Sequence, residues 1–416
     1  MRGAQVFMTV FVPFALGHFL SSLLRTVNAV LAPDLVSALG LTAGQLGLLS
    51  SALFLAFALA QLPVGIALDR YGPRRVQLVL LMVVAVGATL FAHGTSFAQL
   101  VAARAVIGLG LGGCFMSAVK AVSAHISPAK LPSVHGYMIA VGGLGAASAT
   151  LPVRLVLDFT DWRGLYTILA VLAMCCALLI GVAAPRADAP ACAAARPAAL
   201  ASVWAVYRDP AFRRIASLML VPHAVFFGVQ GLWIGRWLAD VGHFGDSGIA
   251  WLLYLSMAAV IFGAIAVGML TEWAARHGVA PIEVGAIGVA LFVLVQLLAM
   301  LNYAPSLALL AVLFTLVGTI TGLEYAIVAQ SMPPALTGRA STCLNLLIFV
   351  GAFLVQAGVG HLLGMWRPDF AGHYPAVAYR VAFGVLVLLQ LPGLVAFLMA
   401  RHGTGHWFSH AKNSST

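Results

Sequence analysis

Six charged side chains, counting Lys, Arg and Glu, interrupt long apolar stretches of this chain: Arg25, Arg104, Lys120, Arg154, Arg236 and Glu324. A charge at the centre of a bilayer costs about 2.5–3.5 kcal/mol on insertion scales, so each one that persists needs water, a partner or a solute. Arg25 falls near one helix face with His18, Ser21 and Ser22, and Asn28 flanks that face, because seven residues make almost two turns. A guanidinium among polar neighbours suits a carboxylate or another anion. The competing reading is a hydrogen-bonded cluster that only joins helices. Glu324 is the one acid clearly inside an apolar stretch, and Lys120 is its near-equivalent in the first half of the chain, at an offset of 204. A pair of opposite charges so placed predicts a salt bridge that forms when one end of the molecule is shut. An acid that then loses its partner is suited to carry a proton, which makes Glu324 the coupling candidate; the alternative is that both side chains simply reach for the interface. His18 and His223 could relay protons. Gln230 and Trp233 share a face with His223, and Asn345, Phe349, Ala352 and Gln356 share another. These read either as lining for a solute or as packing between helices. Arg154 and Arg236 lie near helix ends, where snorkelling explains them.

The elements that must hold these residues follow from composition. The 416 residues are 62% hydrophobic and 8% charged, with mean hydropathy +1.03. A soluble domain is nearer half apolar and a quarter charged, so the class is an integral membrane protein. A spanning helix needs about 20 apolar residues. Twelve such stretches are visible, at 6–31, 44–67, 76–94, 98–122, 133–156, 164–184, 213–238, 248–270, 280–301, 306–329, 340–363 and 379–400. The first reads as a retained span, since it is too long for a signal peptide and holds His18, Arg25 and Asn28. Thr42 with Gln45 predicts a capping box, and Ser247 a cap; Pro33, Pro128, Pro132, Pro305, Pro333 and Pro334 predict loops. An Ala/Pro-rich interruption over 185–212 divides the chain into two six-helix bundles, 1–184 and 213–400, followed by a tail over 401–416. If both ends are cytoplasmic, fourteen of the 22 Lys and Arg lie on that side and three on the other. That bias sets the orientation, and it accounts for the net charge of +10 without a nucleic-acid partner. The five cysteines show no framework spacing.

One loop carries more than sidedness. Gly65-Ile-Ala-Leu-Asp69-Arg70-Tyr-Gly72-Pro-Arg74-Arg75 joins the second and third spans, and Gly268 with Glu272 repeat its Gly65 and Asp69 at an offset of 203. This loop resembles the signature loop of the major facilitator superfamily. Arg104-x-x-x-Gly108-x-Gly110 is similar to that family's fourth-helix motif, and Asp161-Trp162-Arg163 before the sixth span is familiar from many members. The resemblance covers nearly the whole chain. It implies an all-α fold of two pseudosymmetric six-helix bundles, with Gly65, Asp69, Arg70, Gly72, Arg74 and Arg75 forming a gate. In that family Asp69 would meet the positive start of the eleventh helix, near Thr337-Gly338-Arg339. The resemblance also implies that Arg104 points inward, for coupling or to orient solute; the alternative is structural bonding to neighbouring backbone carbonyls.

These readings converge on a secondary active transporter working by alternating access, with solute bound between the halves. The excess of intramembrane cations over acids favours an anionic or zwitterionic organic solute: a carboxylate, an amino acid or a siderophore-like chelate. The expectations are substrate contact at Arg25, His18, Asn28, Arg104, Gln230, Trp233, Asn345 and Gln356, and gating or coupling at Lys120, Glu324 and the loop. Protons are the expected coupling ion, with a monomer in the cytoplasmic membrane and no metal, cofactor or enzyme motif. A proton-antiport exporter of amphipathic compounds is the rival; the Gly-Pro pattern linked with it in span five has no recognisable copy here. A non-transporting sensor or scaffold of the same fold is the third reading.

Overall fold

The computed structural model describes residues 3–125, 131–185, 198–333 and 336–403. Eleven of its helices are long and apolar enough to cross a membrane. One of them, Ala43–His93, is 51 residues long and is two spans, broken at Gly72 with φ 76° and ψ 163°. Only glycine reaches that conformation without strain, so the turn between the second and third spans is written into the sequence. The expected twelve spans are therefore all present.

The first span runs Phe7–Thr26 and resumes as Asn28–Leu39. Pro33 lies inside that second piece rather than in a loop. A proline cannot donate to the carbonyl four residues back, which here is Ala29. That freed carbonyl lies 3.1 Å from where a Cβ on Gly235 of the seventh span would stand. The bare glycine lets the first and seventh spans, one from each half, approach closely. Pro132 opens the fifth span and Pro305 a short turn, while Pro128 and Pro334 lie outside the described residues. The capping box forms as expected: Gln45 N donates to Thr42 Oγ1 at 3.2 Å, and Thr42 N to Gln45 Oε1 at 3.0 Å. Ser247 does not cap the eighth span, because that helix already begins at Asp246 behind Gly245.

The interruption between the halves is shorter than its composition suggests. Residues 186–197 lie outside the description, but Ala198–Arg208 is a helix. Val206 is fully buried with Phe212 and Ile215, and Tyr207 Oη donates to Cys343 O at 3.3 Å. Val203, Val206 and Tyr207 recur at helical spacing, so this segment docks on the second half. The twelfth helix, Ala376–Gly403, extends past the expected boundary at 400; residues 404–416 are not described.

The two halves touch mainly on the face opposite the 65–75 loop. There the backbone N–H of Ala43 donates to Tyr374 Oη at 3.0 Å. A Cβ on Gly360 would stand 2.6 Å from Ala43 O, and one on Gly47 2.9 Å from Gln356 O. Both contacts are with backbone, so neither can yield. Arg154 reaches Asp34 at 3.8 Å in its own half and Asp246 at 3.5 Å in the other. On the loop face the halves stand apart. The Asp69 side chain is 84% exposed, and Gly65, Gly268, Gly322 and Gly338 all border open space. The molecule is shut at one end and open at the other. Gly360→Val should therefore wedge the shut seam. Labelling of a cysteine introduced at Leu46 by a membrane-impermeant maleimide should rise severalfold in that variant, and an unchanged rate would show that the seam tolerates the extra bulk.

Candidate functional site

The first span carries Arg25 to the middle of the interface between the halves. Its guanidinium lies 5.6 Å from the ring centre of Phe57, in the second span, and 5.8 Å from that of Phe349, in the eleventh. One ring comes from each half, and each face attracts a cation. Nε donates to Ser21 O at 3.4 Å and Nη2 to Ser22 Oγ at 3.1 Å. Arg25 is partly exposed, and among the described residues Nη1 has no hydrogen-bond partner and no carboxylate lies within ion-pair distance. Tyr325 and Cys114 are within electrostatic reach of it, as is His18. The His18 ring sits 4.9 Å from Phe115, and its Nδ1 is buried without a partner.

Across the interface the second half supplies an acid and an aromatic path. Glu324 is fully buried, its Oε2 3.3 Å from His223 Nδ1, while its Oε1 has no partner. His223 stacks on Phe227 at 5.1 Å, and Phe227 lies 5.2 Å from Phe349. Tyr325 Oη donates to Asn345 Oδ1 at 2.6 Å, and its ring stands edge-on to His223 at 5.8 Å. A chain of touching groups thus runs from the open cation Arg25 through Phe349, Phe227 and His223 to the enclosed acid Glu324.

Several expected solute contacts lie elsewhere. Arg104 is 1% exposed; its Nη1 donates to Leu24 O at 3.1 Å and to Tyr166 Oη at 3.0 Å. Tyr166 Oη donates to Asn28 Oδ1 at 3.1 Å, and Asn28 Nδ2 to Ser50 Oγ at 3.1 Å. Both Arg104 and Asn28 are enclosed within the first half, where they brace the break in the first span. A carbonyl at a helix break lacks its usual donor, and the guanidinium supplies one. Trp233 Nε1 donates to Gln356 O at 3.0 Å and Gln356 Nε2 to Gly228 O at 3.3 Å. These two belong to the shut seam, beside a π-helical turn over Val229–Trp233. Gln230 points to Met257 Sδ at 3.5 Å.

The expected Lys120–Glu324 pair is not formed. Lys120 Nζ lies 2.5 Å from Asp69 Oδ1 and donates to Leu68 O at 2.9 Å. With the loop face parted, each side chain pairs inside its own half. For the same reason Asp69 does not reach the start of the eleventh helix, where Gly338 borders open space. Arg74 donates to Gly181 O, tying the loop to the sixth span, and Arg70 lies over the Tyr71 ring at 5.1 Å. Gly65 borders open space in this conformation, and Arg75 is exposed. The repeat is not functionally equivalent, since Glu272 pairs with Arg276 at 2.5 Å on its own helix. Arg154 and Arg236 do not snorkel. Arg236 binds Asp240 at 2.9 Å, and Asp240 also accepts from Tyr379 at 2.7 Å. Arg154's two acids, Asp34 and Asp246, belong to other helices, so spacing along the chain cannot reveal them, whereas Asp240 stands one turn from Arg236 in the same helix.

Tyr325, Phe57, Phe115 and Phe227 were not among the expected contacts. Tyr325 adjoins Glu324, which is the one local signal. The three phenylalanines are indistinguishable in sequence from lipid-facing residues.

Relatives agree with this architecture. A probable sulfoacetate transporter of Cupriavidus necator is 30% identical over 157 residues, 38% of this chain and 36% of that protein. A chloramphenicol resistance protein of Streptomyces lividans is 28% identical over 365 residues, 85% of this chain and 90% of that one. A probable L-galactonate transporter of Escherichia coli is 27% identical over 270 residues, covering 59% and 57%. The crystal structure of a bacterial homologue of the human lysosomal transporter Spinster, inward-facing and unoccupied, matches with TM-score 0.78 at 16% identity, over 97% of this chain and 98% of that one. The model of the Major Facilitator Superfamily covers residues 14–356, and with twelve spans in two halves around a one-sided opening, the chain belongs to that superfamily: it is a transporter, not an enzyme.

Proposed function

We propose that this transporter moves a small organic anion, a carboxylate or a sulfonate, between the two membrane faces. The observation that carries this reading is Arg25. Lys120, Arg154 and Arg236 each have an acid, and Arg104 is enclosed within the first half, where its Nη1 donates to Leu24 O and Tyr166 Oη while its buried Nε has no partner. Arg25 keeps an open nitrogen beside a touching pair of rings, one from each half, and lacks a counter-charge among the described residues. An uncompensated cation inside a membrane calls for an anion, and a solute bridging both halves is what alternating access requires. Relatives named for sulfoacetate and L-galactonate support the same class. The loop face is cytoplasmic by its arginines, both termini lie on that side, the unit is a monomer in the cytoplasmic membrane, and the Glu324–His223 pair couples flux to protons. A carboxyl with one bare oxygen and one imidazole partner suits gain and loss of a proton as the chamber changes sides.

A second reading, export of amphipathic compounds, is favoured by the near full-length match to the chloramphenicol resistance protein. A thermal-shift series on the purified protein separates the two. Sulfoacetate or L-galactonate should raise the melting temperature with concentration, equivalent to about 2.7 kcal/mol at a hundredfold excess over Kd, and chloramphenicol should not. Stabilisation by chloramphenicol alone would replace the anion reading with the export one.

A further inference from the structure

The face opposite the loop holds a cavity of about 570 Å³, separate from the Arg25 cluster. Ligand pockets run from about 300 to 1,000 Å³, so its size fits a small organic molecule. One wall is residues 36–46 of the first half, and the other is Trp233, Arg236 and the stretch from His361 to Tyr374 of the second. No acid is among its lining residues. Arg236 is already neutralised by Asp240, and the nearby Asp369 Oδ1 is committed to the backbone N–H groups of Ala371 and His373 at 2.9 and 2.8 Å. Arg367 and His361 are exposed and have no side-chain partner among the described residues. Beside them stand the rings of Trp366, Tyr374 and Trp233. Free cationic and donor groups next to aromatic surface recognise a planar organic anion: the charge meets the guanidinium, and the ring stacks.

We propose that this cavity is a second binding site, for an aromatic carboxylate or sulfonate arriving from the face opposite the loop. Its two walls belong to different halves. The cavity is therefore complete only while the Gly47–Gly360 seam is shut, and parting the seam divides it. A ligand that binds one conformation better than another shifts the population toward it. An occupant here holds the transporter open toward the loop face and so inhibits turnover from the opposite side, without competing for Arg25.

Naphthalene-2-sulfonate serves as the probe, with thermal unfolding of the intact protein in detergent as the readout. The wild type should show a concentration-dependent rise in melting temperature. The double variant R367A/H361A should weaken apparent affinity at least about tenfold, since these groups line an exposed rim and their loss leaves the seam itself intact. Gly360→Val should also lose the rise, because its seam cannot close, whereas Arg25→Ala should keep it. No rise in the wild type overturns the proposal, as does a rise that survives in R367A/H361A or disappears in Arg25→Ala. Because the Arg25→Ala arm isolates this cavity from the central cluster, failure here leaves the anion-transport reading standing, and failure of that reading leaves this one testable.

Discussion

Arg25→Ala should abolish transport of the anionic solute while leaving a folded protein. Among the described residues the side chain makes only two hydrogen bonds, both within its own helix, to Ser21 and Ser22. Its removal strands no buried acid, so the cost to folding is small. Binding is another matter. Truncating one partner of a desolvated charge pair costs about 2–5 kcal/mol, which weakens affinity by at least about 30-fold. Arg25→Lys should recover part of the loss, because charge returns but the planar two-nitrogen fork does not. The measurement is equilibrium binding of sulfoacetate or L-galactonate together with uptake into proteoliposomes. Full binding by the alanine variant would remove Arg25 from the site.

Glu324→Gln should uncouple the transporter. The amide fills the same space beside His223 but can neither gain nor lose a proton. Accumulation driven by an imposed pH gradient should fall to the level of passive equilibration, while exchange of solute across the membrane continues. The separation of these two readouts is the test, because a variant that merely misfolds loses both. Unchanged gradient-driven accumulation would show that the buried acid is a structural partner of His223 and nothing more. His223 bears on the same point. Its ring lies between Phe227 and Tyr325, so the group that shares the acid's proton also touches the aromatic path to Arg25. Solute at Arg25 and protonation at Glu324 are thereby in physical contact through packed rings.

The class of molecule, the twelve spans and the loop were legible in the residues because each rests on a local rule. Twenty apolar residues make a span wherever they occur, Gly72 makes a turn by its own φ, and Thr42 with Gln45 cap a helix within four residues. The partners of charges were not legible. Lys120 was matched to Glu324 for the state in which the loop face is shut; with that face open, Lys120 holds Asp69 and Glu324 holds His223, partners the sequence did not mark. Arg104 and Asn28 were assigned to solute and turned out to be joined through Tyr166, a residue without any mark in the sequence. Arg154 and Arg236 were taken for interface anchors; Arg154 holds acids from remote segments, and Arg236 holds Asp240 one turn on in its own helix.

By itself, then, the chain specified which side chains had to be compensated, since hydrophobic runs long enough to cross a bilayer make every charge within them an obligation. Which group meets that obligation was decided only by the packing of the helices, because hydrogen bonds and ion pairs act over a few ångströms between segments as far as 331 positions apart. That packing leaves Arg25 with a free nitrogen at the centre of the molecule.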